Sequence, residues 1–234
     1  MTTCNLNEDE IRFCNIHLSR TWNIEKSFTL ENVYIKCDTA DCITLASGQT
    51  LEMMHSTIEG VYKGTCLNIY GNLSMKGSVI FNCGGKGNGG GIRAYGSSIL
   101  TVDSSSLKQN EATLGGAFYL DPESSLKLTN SDVSFNSAYY GAALYADYAK
   151  LASIYYTKFT SNRAEEPGGI LVFQQTNAAV YNCDFNDNSS SGASNNSTIS
   201  CYSRNDEPTA LQYKPNNEDV DDIYETKNCQ IITA

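Results

Sequence analysis

Asp121 and Asp147 each end an apolar run and lie 26 residues apart. If the fold stacked them, two carboxylates at about 5 Å would repel, raise one pKa or recruit a cation. That is the chemistry of a shared proton or a bound Ca²⁺, and Glu123 is near enough in sequence to join. The competing reading is a pair of turn residues splayed into water, where aspartate is common. The only histidines are His17 and His55, too few and too distant to argue a Ser-His-Asp or Cys-His arrangement by spacing. A second kind of chemistry is recognition by aromatic surface. Fifteen tyrosines stand against one tryptophan, and Tyr155 and Tyr181 each follow an apolar residue, Ile154 and Val180. With those two inward, Tyr155 and Tyr181 point outward on neighbouring units, with Tyr156 beside them and Tyr139-Tyr140 adding to the set. Such tyrosines make a platform for sugar rings or a protein partner, or they stabilise an exposed sheet by stacking on each other. Tyr119 and Tyr145 form a similar pair whose face the pattern leaves open.

Residues 26 apart become neighbours only if the chain repeats. Val79/Asn82, Leu107/Asn110, Val133/Asn136, Phe159/Asn162 and Phe185/Asn188 each place asparagine three residues after an apolar residue, and the asparagines step by 28, 26, 26 and 26. A second apolar column runs five residues ahead, as Val102/Leu107, Leu128/Val133, Ile154/Phe159 and Val180/Phe185, with Met75/Val79 one residue shorter. Small-residue clusters follow at Gly90-Gly91-Ile92, Gly115-Gly116-Ala117, Gly141-Ala142-Ala143 and Gly168-Gly169-Ile170. Alternation such as Ser125-Leu126-Lys127-Leu128-Thr129 recurs and no helical apolar spacing is sustained, so each unit holds short strands. A unit of this size cannot bury its apolar side alone; stacked at the ~4.8 Å strand spacing, neighbours share one core. The expected fold is all-β, a single-stranded right-handed parallel β-helix of about six to eight coils. Asn82, Asn110, Asn136, Asn162 and Asn188 are predicted at its corners, bonding local backbone or adopting left-handed dihedrals.

Phe159-Thr-Ser-Asn162 and Phe185-Asn-Asp-Asn188, combined with Gly115-Gly116-Ala117-Phe118 and Gly168-Gly169-Ile170-Leu171, resemble the repeats of the chlamydial polymorphic outer-membrane proteins and their protist relatives. The resemblance covers roughly residues 79–188 and departs where Val or Leu replaces Phe and where Gly141-Ala142-Ala143 lacks the second glycine. It implies a surface-exposed β-helical passenger with an adhesive or structural role.

Domain boundaries follow from the repeat: residues 1–27 read as an irregular lead-in or cap, 28–202 as the β-helix, and 203–234 as an acidic segment, partly loop or cap. Seven acids against Lys214 alone fall between Asp206 and Glu225, a solvated stretch. Net charge is −10, which argues against nucleic acid, because phosphate needs clustered Lys and Arg. No apolar run is long enough to span a membrane. Gly84 to Gly91 lacks the Lys-Ser/Thr and helix of a phosphate loop, and no Cys-x-x-Cys pair supports zinc, so no cofactor is expected.

The count of cysteines, nine, is high for an intracellular structural protein. Asp41-Cys42-Ile43-Thr44-Leu45 superimposes on Thr65-Cys66-Leu67-Asn68-Ile69, so Cys42 and Cys66 are predicted one coil apart, as a disulfide or as buried thiols. Sequons at Asn72, Asn188, Asn195 and Asn196 are candidate glycosylation sites, although a chain so rich in Asn, Ser and Thr supplies about that many by chance. The residues after Met1 have neither the basic nor the apolar region of a secretory signal, which reads as a cytosolic chain or a piece of something longer. The main expectation is a non-enzymatic surface or structural module, extracellular or at the cell surface. Its flat ladders would meet a protein or glycan surface, or join other solenoids end to end or side by side. Two alternatives are an intracellular scaffold component, if the Met1 start is native, and a carbohydrate-active lyase or hydrolase using Asp121 and Asp147.

Overall fold

The computed structural model describes residues 4, 9–166, 169–191, 198–203, 209–215, 223–227 and 229–233. Every regular element among them is a strand, and every strand pairing is parallel, winding a right-handed solenoid. Three ladders run its length. Sheet A begins with Glu10–Arg12 and Phe28–Glu31, continues through Asn72–Lys76, Ile99–Asp103, Ser125–Thr129 and Leu151–Tyr155, and ends with Cys229–Thr233. Sheet B contains Thr57–Glu59, Val79–Phe81, Ser106–Lys108, Asp132–Ser134 and Lys158–Thr160; the strand Ala178–Asn186 turns the corner and serves both A and B. Sheet C runs from Trp22–Ile24 through Ile92–Ala94, Phe118–Leu120, Leu144–Asp147 and Leu171–Gln174 to Ile223–Lys227. A short fourth ladder, sheet D, joins Glu111–Leu114, Ser137–Tyr140, Arg163–Ala164 and Ser189–Ser190, so a full coil reads A, B, D, C.

The inward residues explain the period. Each sheet A strand turns two side chains into the lumen, such as Leu100 with Val102 and Leu126 with Leu128, and sheet B turns in one, such as Leu107, Val133 or Phe159. Sheet C supplies pairs such as Phe118 with Leu120. In the earlier coil Ile80, not Val79, pairs with Leu107, so Met75 and Ile80 keep the usual five-residue step and the repeat is not shortened there. Adjacent apolar residues made the sequence ambiguous at that point; register decides it, because a one-residue slip reverses the face.

Two buried polar ladders close the corners. Between A and B, the hydroxyls of Ser56, Ser78, Ser105 and Ser131 each accept the N–H of the corresponding residue in the preceding coil, at 3.0–3.1 Å, and each donates to the carbonyl two residues earlier. Between B and D, Oδ1 of Asn110, Asn136, Asn162 and Asn188 accepts from a backbone N–H of the preceding coil, and Nδ2 donates to a carbonyl of that preceding coil. The turn removes these backbone groups from the strand ladders, and the side chains satisfy them away from water. The asparagines are therefore inter-coil struts, not locally bonded corner residues. The left-handed residue is the one before each: Gln109, Phe135, Ser161 and Asp187, with φ of 54–56°. Asn82, with φ of 57°, belongs to that left-handed column, and Cys83 holds the ladder position, donating its N–H to Asn110 Oδ1. Gly115 is required by the D-to-C bend: its φ is +67°, and a Cβ there would lie 2.0 Å from the Phe118 carbonyl oxygen.

The solenoid extends beyond 28–202. Residues 9–24 already form a coil with strands in all three ladders and bury Ile11, Ile16, Leu18 and Ile24, while Thr209–Pro215 and Cys229–Thr233 continue sheet A. The early coils are short: Leu30 pairs with Met53 and Met53 with Met75, steps of 23 and 22 residues.

Cys42 and Cys66 do stack, through Ile43 N–H to the Cys66 carbonyl, but they do not pair with each other. Side chains in register on parallel strands project side by side, whereas the short early coils bring the end of sheet B against the start of sheet C. The bridges are Cys4–Cys14, Cys37–Cys42, Cys66–Cys83 and Cys201–Cys229, with Cα separations of 5.6–6.0 Å. Cys183 is free and buried. Removing the Cys66–Cys83 bridge, which spans 17 residues, with Cys66→Ala and Cys83→Ala should cost about 3 kcal/mol. Urea unfolding under non-reducing conditions measures this; an unchanged midpoint would show that the early coils do not depend on the staple.

Candidate functional site

Sheet A offers an open face. Its outward columns carry Ile99, Ser125 and Leu151 along one edge, Thr101, Lys127 and Ser153 along the middle, and Asp103, Thr129, Tyr155 and Tyr181 along the other. A shallow groove of about 690 Å³ lies across this face, bounded by Ile99 and Leu151 on one side and Tyr155 and Tyr156 on the other. The rims are apolar and open to solvent, with Ile99 53% exposed, Leu151 43% and Tyr156 62%. The floor between them is polar. Tyr155 and Tyr181 stack with ring centroids 5.6 Å apart at 7°, and the Tyr181 hydroxyl donates to Gln212 at 2.8 Å, which fixes the pair. Tyr156 occupies the left-handed A-to-B corner, φ 52°, and projects beyond the sheet. Asp103 is tied down by Thr129, Asn130 and Ser104, and those hydrogen bonds, Asn130 first, hold its carboxyl below the usual range.

Sheet C carries the two carboxylates on its outward side. Asp121 and Asp147 occupy the same column in successive coils, as the repeat predicts. Neither is splayed into water, and they are not paired with one another. Arg93, one coil earlier, grips Asp121 through both oxygens at 2.9 and 3.3 Å, and its guanidinium lies over the rings of Tyr95 and Tyr119 at 4.4 and 5.2 Å. Asp147 accepts from the Tyr119 hydroxyl at 3.2 Å through Oδ2, while its Oδ1 is inaccessible and has no hydrogen-bond partner. Glu123 sits at an exposed left-handed corner. No group of three acidic, cysteine or histidine side chains converges as a metal site among the described residues. Both Asp121 oxygens are engaged and one Asp147 oxygen is sealed off, so the two do not present an open acid pair to a substrate.

Tyr119 and Tyr145 point outward, stacked at 5.8 Å, yet they are buried: with Val172 they form a second apolar cluster covered by Leu114 and Tyr140 from sheet D. The bend at Gly115 folds D against the outer side of C and creates this cover. Tyr145 bonds Gln174 at 2.8 Å and the Tyr202 hydroxyl at 2.9 Å. Burial drives both phenols well above their ordinary pKa, and the half-buried Tyr95 to about 12. Tyr139 is exposed and donates to Glu166 at 2.9 Å.

Sequence reasoning missed Arg93 and the Ile99–Leu151 rim. Ile92 aligns with Phe118, which places Arg93, the next residue, in the Tyr119 column. Of the sequons, Asn72 is exposed at the start of a sheet A strand, whereas the Asn188 amide is committed to Phe159 and the asparagine ladder. Asn195 and Asn196 lie outside the described residues. No helix among the described residues is long and apolar enough to cross a membrane.

The family described as right handed beta helix region matches residues 14–164 and again 72–231. No curated protein and no solved structure matches the chain. The two matches together span residues 14–231, which hold the solenoid from the second strand of its first coil onward, with its shared lumen and corner ladders, and the chain therefore belongs to the right-handed beta helix family.

Proposed function

We propose that this β-helix is a non-enzymatic binding module that holds a glycan along sheet A, displayed outside the cell or on its surface. The sheet A groove carries the reading: apolar rims of Ile99, Leu151, Tyr155 and Tyr156 flank a floor of hydroxyls and Lys127. Sugar rings offer apolar faces and a hydroxyl periphery, and aromatic residues with few torsions bind such faces at low entropic cost. The engaged state of Asp121 and Asp147 supports binding over glycan cleavage. The four bridged cysteine pairs support an oxidising compartment, as does the resemblance to chlamydial polymorphic outer-membrane proteins. Native material with free thiols at Cys37 and Cys42 would return the chain to the intracellular scaffold reading.

The test is an array of immobilised oligosaccharides followed by titration of the best binder. Tyr156→Ala should weaken that binding about tenfold, as loss of an exposed stacking aromatic does, with no change in the circular dichroism spectrum. Binding that is absent in the unaltered protein, or unchanged in Tyr156→Ala, would overturn the groove assignment.

A further inference from the structure

We infer that the outward face of sheet A is a self-association surface, on which a second copy of this chain packs with its solenoid antiparallel. This goes beyond the glycan reading: it names a second occupant of the same face, and the two exclude one another. The charges on this face are ordered along the solenoid. Counting sheet A strands from Glu10–Arg12, the third, Thr50–Met54, turns out Glu52, and the fourth, Asn72–Lys76, turns out Lys76. The fifth, Ile99–Asp103, turns out Asp103, and the sixth, Ser125–Thr129, turns out Lys127. Glu52 and Lys127 share the middle column, and Lys76 and Asp103 are direct register partners in an edge column. Glu52 and Lys127 are both exposed, and among the described residues neither has an ion-pair partner, whereas Lys63 is matched to Asp38 and Arg93 to Asp121.

A two-fold axis along the strand direction keeps every residue in its column and reverses the order of the coils. Placed between the fourth and fifth strands, it sets Glu52 against Lys127 of the second copy and Lys76 against Asp103 of the second copy. Symmetry makes each contact twice, so four pairs of opposite charge face one another and no like pair does. Tyr181 then meets Arg12 of the second copy, and the exposed Ile99 lies one coil from its own counterpart, which puts an apolar contact beside the axis. Neighbouring arrangements repel. An axis through the fourth strand opposes Lys76 to itself, and one through the fifth opposes Asp103 to itself. An axis along the solenoid opposes Glu52 to Glu52 and Lys127 to Lys127. Sheets pack about 10 Å apart, a gap that facing Lys and Glu side chains span. Eight strands of overlap cover about 650 Å² per copy, about 1,300 Å² in all, which is enough for a specific dimer.

The experiment is sedimentation velocity of the full chain from about 1 to 200 μM, where a dimer with a Kd of about 10 μM should form. Glu52→Lys and Lys127→Glu each set like charges against one another twice per dimer, and each should weaken association at least tenfold. Mixed in equal amounts, the two variants should associate as tightly as the unaltered chain, because every facing pair in the mixed dimer is again of opposite sign. A folding defect in either variant could not be repaired by mixing. A chain that stays monomeric at about 200 μM overturns the inference and leaves the glycan reading standing. So does a dimer that neither variant weakens, or one that mixing the variants does not restore. A dimer with the expected charge pattern in a chain that binds no oligosaccharide supports the inference and removes the glycan reading instead.

Discussion

Asn136→Ala should destabilise the protein by about 4 kcal/mol, well beyond the usual effect of one polar substitution. Asn136 is 0% exposed and sits mid-ladder, with like residues above and below. Its Oδ1 accepts from both the backbone N–H and the side-chain amide of Asn110, each at 3.0 Å. Its Nδ2 donates to the Leu107 carbonyl at 2.9 Å and to Asn162 Oδ1 at 3.0 Å. Alanine removes all four bonds and no water reaches the site, so several buried groups lose a partner, at about 1–3 kcal/mol each and less than additively. Asn188→Ala provides the contrast. Asn188 ends the ladder and is half-buried, so solvent replaces part of what is lost and the cost should be nearer 1 kcal/mol. Urea denaturation measures both. Equal effects at the two positions would show that the ladder is not an inter-coil strut; a transition that splits in Asn136→Ala would show that it couples the two halves of the solenoid.

Much of this architecture was legible because stacking makes each structural column a sequence column. Val102, Leu128, Ile154 and Val180 recur at constant spacing, and the sheet A register reproduces them. The failures have physical causes. At Val79-Ile80 two apolar residues compete for one inward position, and cysteine replaces asparagine three residues on, so the spacing points to Asn82 where Cys83 holds the ladder position. The coils before residue 72 are shorter, and the asparagine ladder spans only the coils of Asn110 to Asn188, so residues 9–24 gave no repeat signal. For the candidate site, spacing placed Tyr155 over Tyr181 and Asp121 over Asp147, but it could not place their partners. Arg93 engages Asp121 from the preceding coil, and the Tyr119–Tyr145 pair is covered by sheet D, a ladder created by a bend that in the sequence only the glycine column of Gly89, Gly115 and Gly141 foreshadows. Period fixes which residues stack; it says little about what folds over them.

Alkaline solution should unfold the protein in two stages, and the sign of each follows from burial. Cys183 is 5% exposed, and burial raises its thiol to about 11, above the ~8.5 of an unfolded chain. Below pH 8.5 both states keep the proton and stability is whole; above it the unfolded state releases the proton first, and stability falls by about 1.4 kcal/mol per pH unit until the folded thiol ionises. Tyr119 and Tyr145, 4% and 7% exposed, act in the same direction from about pH 10, the unfolded phenol value, because burial holds both well above it in the fold. Together the three groups should remove about 5 kcal/mol by pH 11, a large share of a typical domain's stability. Cys183→Thr separates the stages. Cys183 lies in the column of Thr157, and its Sγ contacts the Tyr181 carbonyl as Thr157 Oγ1 contacts that of Tyr155, so threonine fits the corner ladder already in place. That variant should lose the decline between pH 8.5 and 10 and retain the later one, whereas Tyr119→Phe should make the later one shallower. Midpoints of urea unfolding from pH 8 to 11, followed by circular dichroism, decide the matter. A flat profile would mean that water reaches Cys183 and the Tyr119–Tyr145 pair, and that sheet D does not seal the outer side of sheet C.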